Sequence, residues 1–167
     1  MFKNVKMLTT TALLVALATI CGFFKIPINQ VVEIRFAFLP IACAGALFGP
    51  VVGAVVGALS DILGFIVRPT GPFFPGFTLN AAIQGILFGF FLYKKEPTLM
   101  RCTLANFIQT LIVTLLLTPL WLTVLYTMDF KVVLASRMIK TLIMFPIETA
   151  MLYGLIKVLF RIEKEHV

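Results

Sequence analysis

The chain has 167 residues, 60% of them hydrophobic, and a mean hydropathy of +1.07. That is far more apolar surface than a soluble fold of this size can bury, so a soluble domain is excluded and an integral membrane protein is indicated, with residues 1–167 forming a single membrane domain. Fourteen Lys and Arg against seven Asp and Glu leave a net charge of +7, but these cations are scattered singly along apolar segments, which points to orientation in a bilayer and away from nucleic acid.

Apolar segments run about Val5 to Phe24, Phe36 to Phe48, Val51 to Val67, Leu79 to Tyr93, Leu104 to Tyr126 and Val132 to Phe160. They predict an all-α, six-transmembrane-helix bundle. Lys3 and Lys6 before the first segment imitate a signal peptide, but the run from Met7 to Phe24 is long and lacks a small-x-small cleavage site, so it reads as a retained helix. Its Ala12 and Ala16 are spaced four apart and form a flat ridge suited to close helix contact. Helix two, at about 13 residues, spans only about 20 Å of a ~30 Å hydrocarbon core and needs loop to complete its crossing. It carries Ala42 and Ala46, and helix three carries Gly53 and Gly57 with Ala54 and Ala58. Three such ridges exceed the evident needs of one bundle, and one of them is free to serve another protein.

Six crossings put both termini on one side, taken here as cytoplasmic. That side holds eight cations and the outer side six: Lys25, Arg35, Arg68, Lys131, Arg137 and Lys140. Each of these at a helix centre costs roughly 2.5–3.5 kcal/mol, so such residues snorkel, pair or function. Only Glu33, Asp61 and Asp129 stand against them, which leaves a positive outer mouth suited to an anion.

Helix three bears Asp61 on its small-residue face. The carboxylate can accept two hydrogen bonds from an amino-heterocycle, or pair with Arg35 or Arg68. Between helices three and four lies "RPTGPFFPGFTLN", Arg68 to Asn80. Its prolines and its glycines Gly71 and Gly76 restrict the backbone to few shapes. Phe73, Phe74 and Phe77 add planar apolar faces, with Arg68, Thr70, Pro75 and Asn80 around them. The segment is either a lid for a flat anionic ligand or a re-entrant plug seated among helices. Helix five carries Thr103, Asn106, Thr110, Thr114 and Thr118 on one stripe, suited to interhelical hydrogen bonds. Asn106 and Gln109 fall near its inner end and are not counted as ligand residues. Trp121 and Tyr126 suit either an interfacial belt or a ligand wall. On helix six Arg137, Lys140 and Thr141 share a face, and the two cations repel unless an anion lies between them or one snorkels. Glu148 has no assigned role.

Absences weigh against an enzyme. The sole histidine is His166, the only serines are Ser60 and Ser136, and there is no phosphate-binding loop, so neither a triad, a zinc site nor nucleotide hydrolysis can be assembled. Cys21, Cys43 and Cys102 have unrelated spacings and read as small packing residues.

The stretches "ALLVA" (Ala12 to Ala16), "FLPIACAGALFGPVVGAVVGALSDILG" (Phe38 to Gly64) and "PTGPFFPGFTLNAAIQGILFGFFLYKK" (Pro69 to Lys95) closely resemble the folate-specific S component of energy-coupling factor (ECF) vitamin transporters. The resemblance implies a multi-pass subunit of a bacterial cell membrane that binds folate or reduced folates from outside, without a cofactor or metal. It implies docking through Ala12 and Ala16 on a transmembrane coupling protein driven by two ATPase subunits. It also implies that the loop near Lys25 to Arg35 and the one between helices three and four gate the site, with helices four to six as its walls. The substrate-binding residues expected are then Arg35, Asp61, Arg68, Thr70, Gly71, Phe73, Phe74, Pro75, Gly76, Phe77, Asn80, Trp121, Arg137 and Lys140. The alternatives are the same scaffold carrying riboflavin or thiamin, a small membrane enzyme, or a structural subunit.

Overall fold

A computed structural model of the chain describes residues 5–24, 26–27, 33–34, 36–69, 73–127 and 129–165. In chain order they form α1 (Val5–Phe23), the short strands β1 (Ile26–Pro27) and β2 (Glu33–Ile34), α2 (Phe38–Phe48), α3 (Pro50–Val67) and α4 (Pro75–Leu92). A long rod follows, made of α5 (Leu99–Gln109), a π-helical segment (Thr110–Leu117) and α6 (Thr118–Tyr126), and the chain closes with α7 (Phe130–Glu165). Five of these helical stretches are long and apolar enough to cross a membrane, and α2 is a shorter apolar helix. The β1–β2 pair is antiparallel, with Ile26 opposite Ile34, a ladder that hydropathy does not foreshadow.

Punctuation explains most boundaries. Gly49 turns the chain between α2 and α3 at φ +96°, which disfavours any residue with a Cβ, and Pro50 then opens α3 at a position where no N–H is needed. Pro75 opens α4 in the same way, so the second half of the segment expected to be loop, Pro75 to Asn80, is the first turn and a half of a helix. The π-helical segment lies just before Pro119. The widened turn eases the clash that a proline ring makes with the carbonyl four residues back, and the Thr118 hydroxyl donates to the Val113 carbonyl at 2.6 Å. Pro146 lies inside α7 without ending it.

The small-residue ridges fuse one side of the bundle. A Cβ on Gly53 would meet the Gly85 carbonyl oxygen at 2.5 Å, one on Gly57 the Ala81 carbonyl, and one on Gly45 the Gly89 nitrogen at 2.7 Å. Backbones of α2, α3 and α4 therefore touch, as small residues in membrane helices allow. The α2 ridge is spent inside as well, with Ala42 0% and Ala46 4% exposed. Only on α1 do the ridge residues Ala12 and Ala16 stay exposed.

At the end where α4 turns into α5, the interior is solid. Phe38, Phe88, Leu92, Cys102, Leu152 and Ile156 form one packed cluster. Asn106 ties α5 to α7 by donating to Thr149 Oγ1 at 2.9 Å, as expected for that polar stripe. Toward the other end the helices splay around a cavity.

Replacing Gly85 with Val should separate α3 from α4 and lower stability by an amount toward or beyond the upper end of about 1–3 kcal/mol. Gly154→Ala, where an added methyl meets nothing within 4 Å, should stay within about 1 kcal/mol of wild type. Thermal unfolding of the detergent-solubilised protein distinguishes them, and equal behaviour would remove the backbone contact from the account.

Candidate functional site

The hollow half contains an elongated cavity of about 560 Å³, to which every long helix contributes. That volume lies within the roughly 300–1,000 Å³ typical of small-molecule sites. Three levels can be followed along it. Near the turns that join α3 to α4 and α6 to α7 it is bordered by Phe23, Arg68, Phe73 and Tyr126. In the middle Asp61, Phe74, Phe77, Asn80, Arg137 and Lys140 face it. Gln109 and Glu148 lie furthest in, next to the Asn106–Thr149 tie, with Gln84 one turn beyond Asn80 on α4.

Aromatic rings make the thin side of the wall. Phe65 and Phe73 stand 5.1 Å apart between centroids, Phe74 and Phe77 5.9 Å, and Phe74 and Trp121 5.4 Å, all tilted or edge-on, the favoured geometries for ring pairs. Behind Phe73 and Phe74, away from the cavity, is a second recess of about 760 Å³, wide open and almost wholly apolar, bordered by Pro75, Gly76, Leu79 and Trp121. Two phenylalanine rings therefore separate the polar interior from an apolar flank. Gly76 permits this packing, because a Cβ there would meet the Phe74 ring and would lie 2.8 Å from the Trp121 indole.

Hydrogen bonds hold the wall. Trp121 Nε1 donates to Asn80 Oδ1 at 3.0 Å, Asn80 Nδ2 donates to Thr118 Oγ1 at 3.2 Å, and Thr118 in turn donates to the Val113 carbonyl. This chain joins α4 to the π-helical segment and α6. On α3, Asp61 Oδ2 accepts from the Thr78 hydroxyl at 2.8 Å, so the contact seen for this carboxylate is a hydroxyl of α4 rather than Arg68.

Of the residues expected from sequence, Asp61, Arg68, Phe73, Phe74, Phe77, Asn80, Arg137 and Lys140 border the one cavity. Pro75, Gly76 and Trp121 sit behind the ring wall on the apolar recess, where they shape the wall without facing the cavity. Asn80 is 6% exposed and its amide is engaged on both sides by protein, so its evident work is to place Trp121. Arg35, Thr70 and Gly71 lie outside the described residues. Three groups not counted from sequence also face the cavity: Gln84, Gln109 and Glu148. Among the described residues no three His, Cys, Asp or Glu converge as metal ligands would. Among the described residues the facing charges are three cations, Arg68, Arg137 and Lys140, and two carboxylates, Asp61 and Glu148.

Comparison with known proteins adds to this geometry. Residues 6–162 match the family described as ECF transporter, substrate-specific component. The chain is 36% identical over 161 residues to the folate transporter FolT of Clostridium novyi (strain NT), covering 96% of this chain and 94% of that protein. It is 32% identical over 141 residues to FolT of Streptococcus mutans, covering 78% and 76%. A crystal structure of FolT bound with folic acid superposes with a TM-score of 0.85 at 35% identity, covering 91% of this chain and 93% of that one.

Asn80→Ala removes both partners at once and leaves the indole N–H without its acceptor, a change that costs about 1–3 kcal/mol for a buried group. Trp121 is the only tryptophan, so the intrinsic emission of the ligand-free protein in detergent reports it alone. A shifted emission maximum and lower thermal stability are expected. An unaltered spectrum at wild-type stability would show that these bonds hold nothing in place.

Proposed function

The chain belongs to the family of substrate-specific components of ECF transporters, and from that membership we propose that it is a folate-binding subunit of a bacterial vitamin importer. The observation that carries the reading is the cavity: aromatic faces along one wall, cations around its middle and mouth, and length enough for an extended ligand. Folate is a flat pterin joined through an aryl ring to a glutamate with two carboxylates, so it needs planar apolar contact along its body and positive charge at one end. Similarity to FolT proteins, one of them solved with folic acid, supports the same choice.

Transport follows from partners. This subunit captures the vitamin from outside, and a transmembrane coupling protein with two ATPases supplies the energy. Ala12 and Ala16 are the docking surface, because of the three small-residue ridges theirs alone remains exposed while those of α2 and α3 are used inside. Counting the shorter α2 with the five long apolar helices gives six crossings, and we take the side that holds both termini to be the cytoplasm. Charge at the solid end supports that orientation: Lys94, Lys95, Arg101, Lys157 and Arg161 gather there, with Lys95 donating to the Phe90 carbonyl near the end of α4 and Arg101 to the Glu96 carbonyl in the turn that follows.

The binding residues are Arg68, Phe73, Phe74, Phe77, Arg137 and Lys140, joined by Arg35, Thr70 and Gly71 of the gating loops, with Asp61 at the side and Asn80, Pro75, Gly76 and Trp121 shaping the aromatic cover. Equilibrium titration of the solubilised chain with folate, riboflavin and thiamin should give saturable binding for folate alone. Riboflavin binding with none for folate would overturn the choice of vitamin. Arg137→Ala should weaken folate binding by about 2–5 kcal/mol, the cost of stripping one partner from a desolvated charged pair. Ala12→Trp should leave folate binding intact and abolish uptake by the assembled transporter, and undiminished uptake would remove α1 as the docking surface.

A further inference from the structure

The recess behind the ring wall is dry, although two of the residues that border it carry polar side-chain groups. The Thr78 hydroxyl donates to Asp61 Oδ2, and Trp121 Nε1 donates to Asn80 Oδ1. Both groups are spent toward the interior, so the surface left facing outward consists of methyl groups and rings. A polar ligand seated there would lose its hydration and find nothing to bond, whereas hydrocarbon loses nothing. At the floor, Ala58 of α3 and Ala82 of α4 lie beside the backbone contact of Gly57 with Ala81. The two helices already touch, so neither can move in to fill the space, and an empty recess forfeits dispersion contacts along its whole lining. Ile66, Leu79 and Ile86 nearby are exposed, and the recess continues that lipid-facing surface.

We propose that this recess lodges one acyl chain of a membrane phospholipid, which backs the ring wall from outside. Its position suits that occupant. Pro75 and Ala82, both on its border, are seven residues apart on α4, about 10 Å of helix rise starting at the mouth end. Each leaflet fills about half of a ~30 Å hydrocarbon core, so a chain from the leaflet on the mouth side passes the whole length of the recess. Phe73 and Phe74 border both spaces, which puts the acyl chain on one side of those rings and the cavity on the other. The docking ridge does not compete for the place. Among the described residues α1 packs on α2 and α3 and on neither α4 nor α6, so a partner seated on Ala12 and Ala16 leaves the recess to the bilayer. The proposal rests on the placement of the helices in a membrane and holds whichever vitamin the cavity takes.

Trp121 borders the recess and is the only tryptophan, so bromine on an acyl chain, which quenches an indole only at close range, reports a chain seated there. The full-length protein is reconstituted without vitamin into phosphatidylcholine vesicles containing increasing fractions of lipid brominated on its acyl chains. Wild-type emission should be strongly quenched and should fall in proportion to the brominated fraction, as one exchanging lipid requires. Ala58→Phe and Ala82→Phe fill the floor from opposite helices, and each folded variant, checked by thermal unfolding, should lose most of the quench. A wild-type curve that saturates early, as contact with several passing lipids gives, would overturn the proposal. So would a folded variant quenched as fully as wild type. An unquenched wild type would also overturn it, because protein then covers the recess, and quenching that appears only when the protein is diluted in lipid would identify that cover as a second copy of this chain.

Discussion

Hydrocarbon does not tolerate polar groups turned toward it, and this chain carries several polar side chains in the middle of apolar helices. Asp61, Gln84, Gln109, Arg137, Lys140 and Glu148 each interrupt a run that otherwise suits a bilayer, and each charged member would cost roughly 2.5–3.5 kcal/mol if left at the membrane centre. The fold meets that constraint by turning all six toward one interior space. Leu142, Ile143, Ile66 and Phe90 cover the outside at exposures that only lipid makes comfortable. A cavity of this polarity inside a membrane is useful only to a polar solute.

Two kinds of helix contact divide the labour. Along α2, α3 and α4, glycines bring backbone against backbone, which makes a stiff platform with little room to repack. Facing it, the rod formed by α5, the π-helical segment and α6 meets the platform through side chains, and the Trp121–Asn80–Thr118 chain is the polar link between them. The aromatic wall lies where those halves meet. There the Trp121 indole is held both by its tilted contact with Phe74 and by its hydrogen bond to Asn80, while the packed cluster fills the opposite end.

Much of this was legible in sequence. Hydropathy locates the helices, Gly49-Pro50 separates α2 from α3, and lone cations at or inside helix ends mark Arg68, Arg137 and Lys140, all of which border the cavity. The start of α4 was misplaced, because proline and phenylalanine resemble loop until Pro75 is seen to open a helix. Trp121 and Gly76 look like ligand contacts by composition, yet they belong to the back of a ring wall that only tertiary packing reveals. Depth alone makes Gln109 look remote from a ligand, and Glu148 belongs to no motif, although a signal is available. The two stand at equal distances along the chain from the turn between α6 and α7, so an antiparallel pair of helices brings them to a similar depth. Gln84 offered no such cue, since one carboxamide in an apolar helix can face either way.

Trp121 touches Phe74 on the wall of the cavity and is the only tryptophan in the chain, so its emission during a folate titration of the detergent-solubilised protein tests the central claim most directly. The account requires a saturable quench that tracks bound folate and ends at one ligand per chain. Folate binding that saturates at one per chain while the emission stays unchanged would place the vitamin elsewhere and contradict a ring-walled cavity as its site.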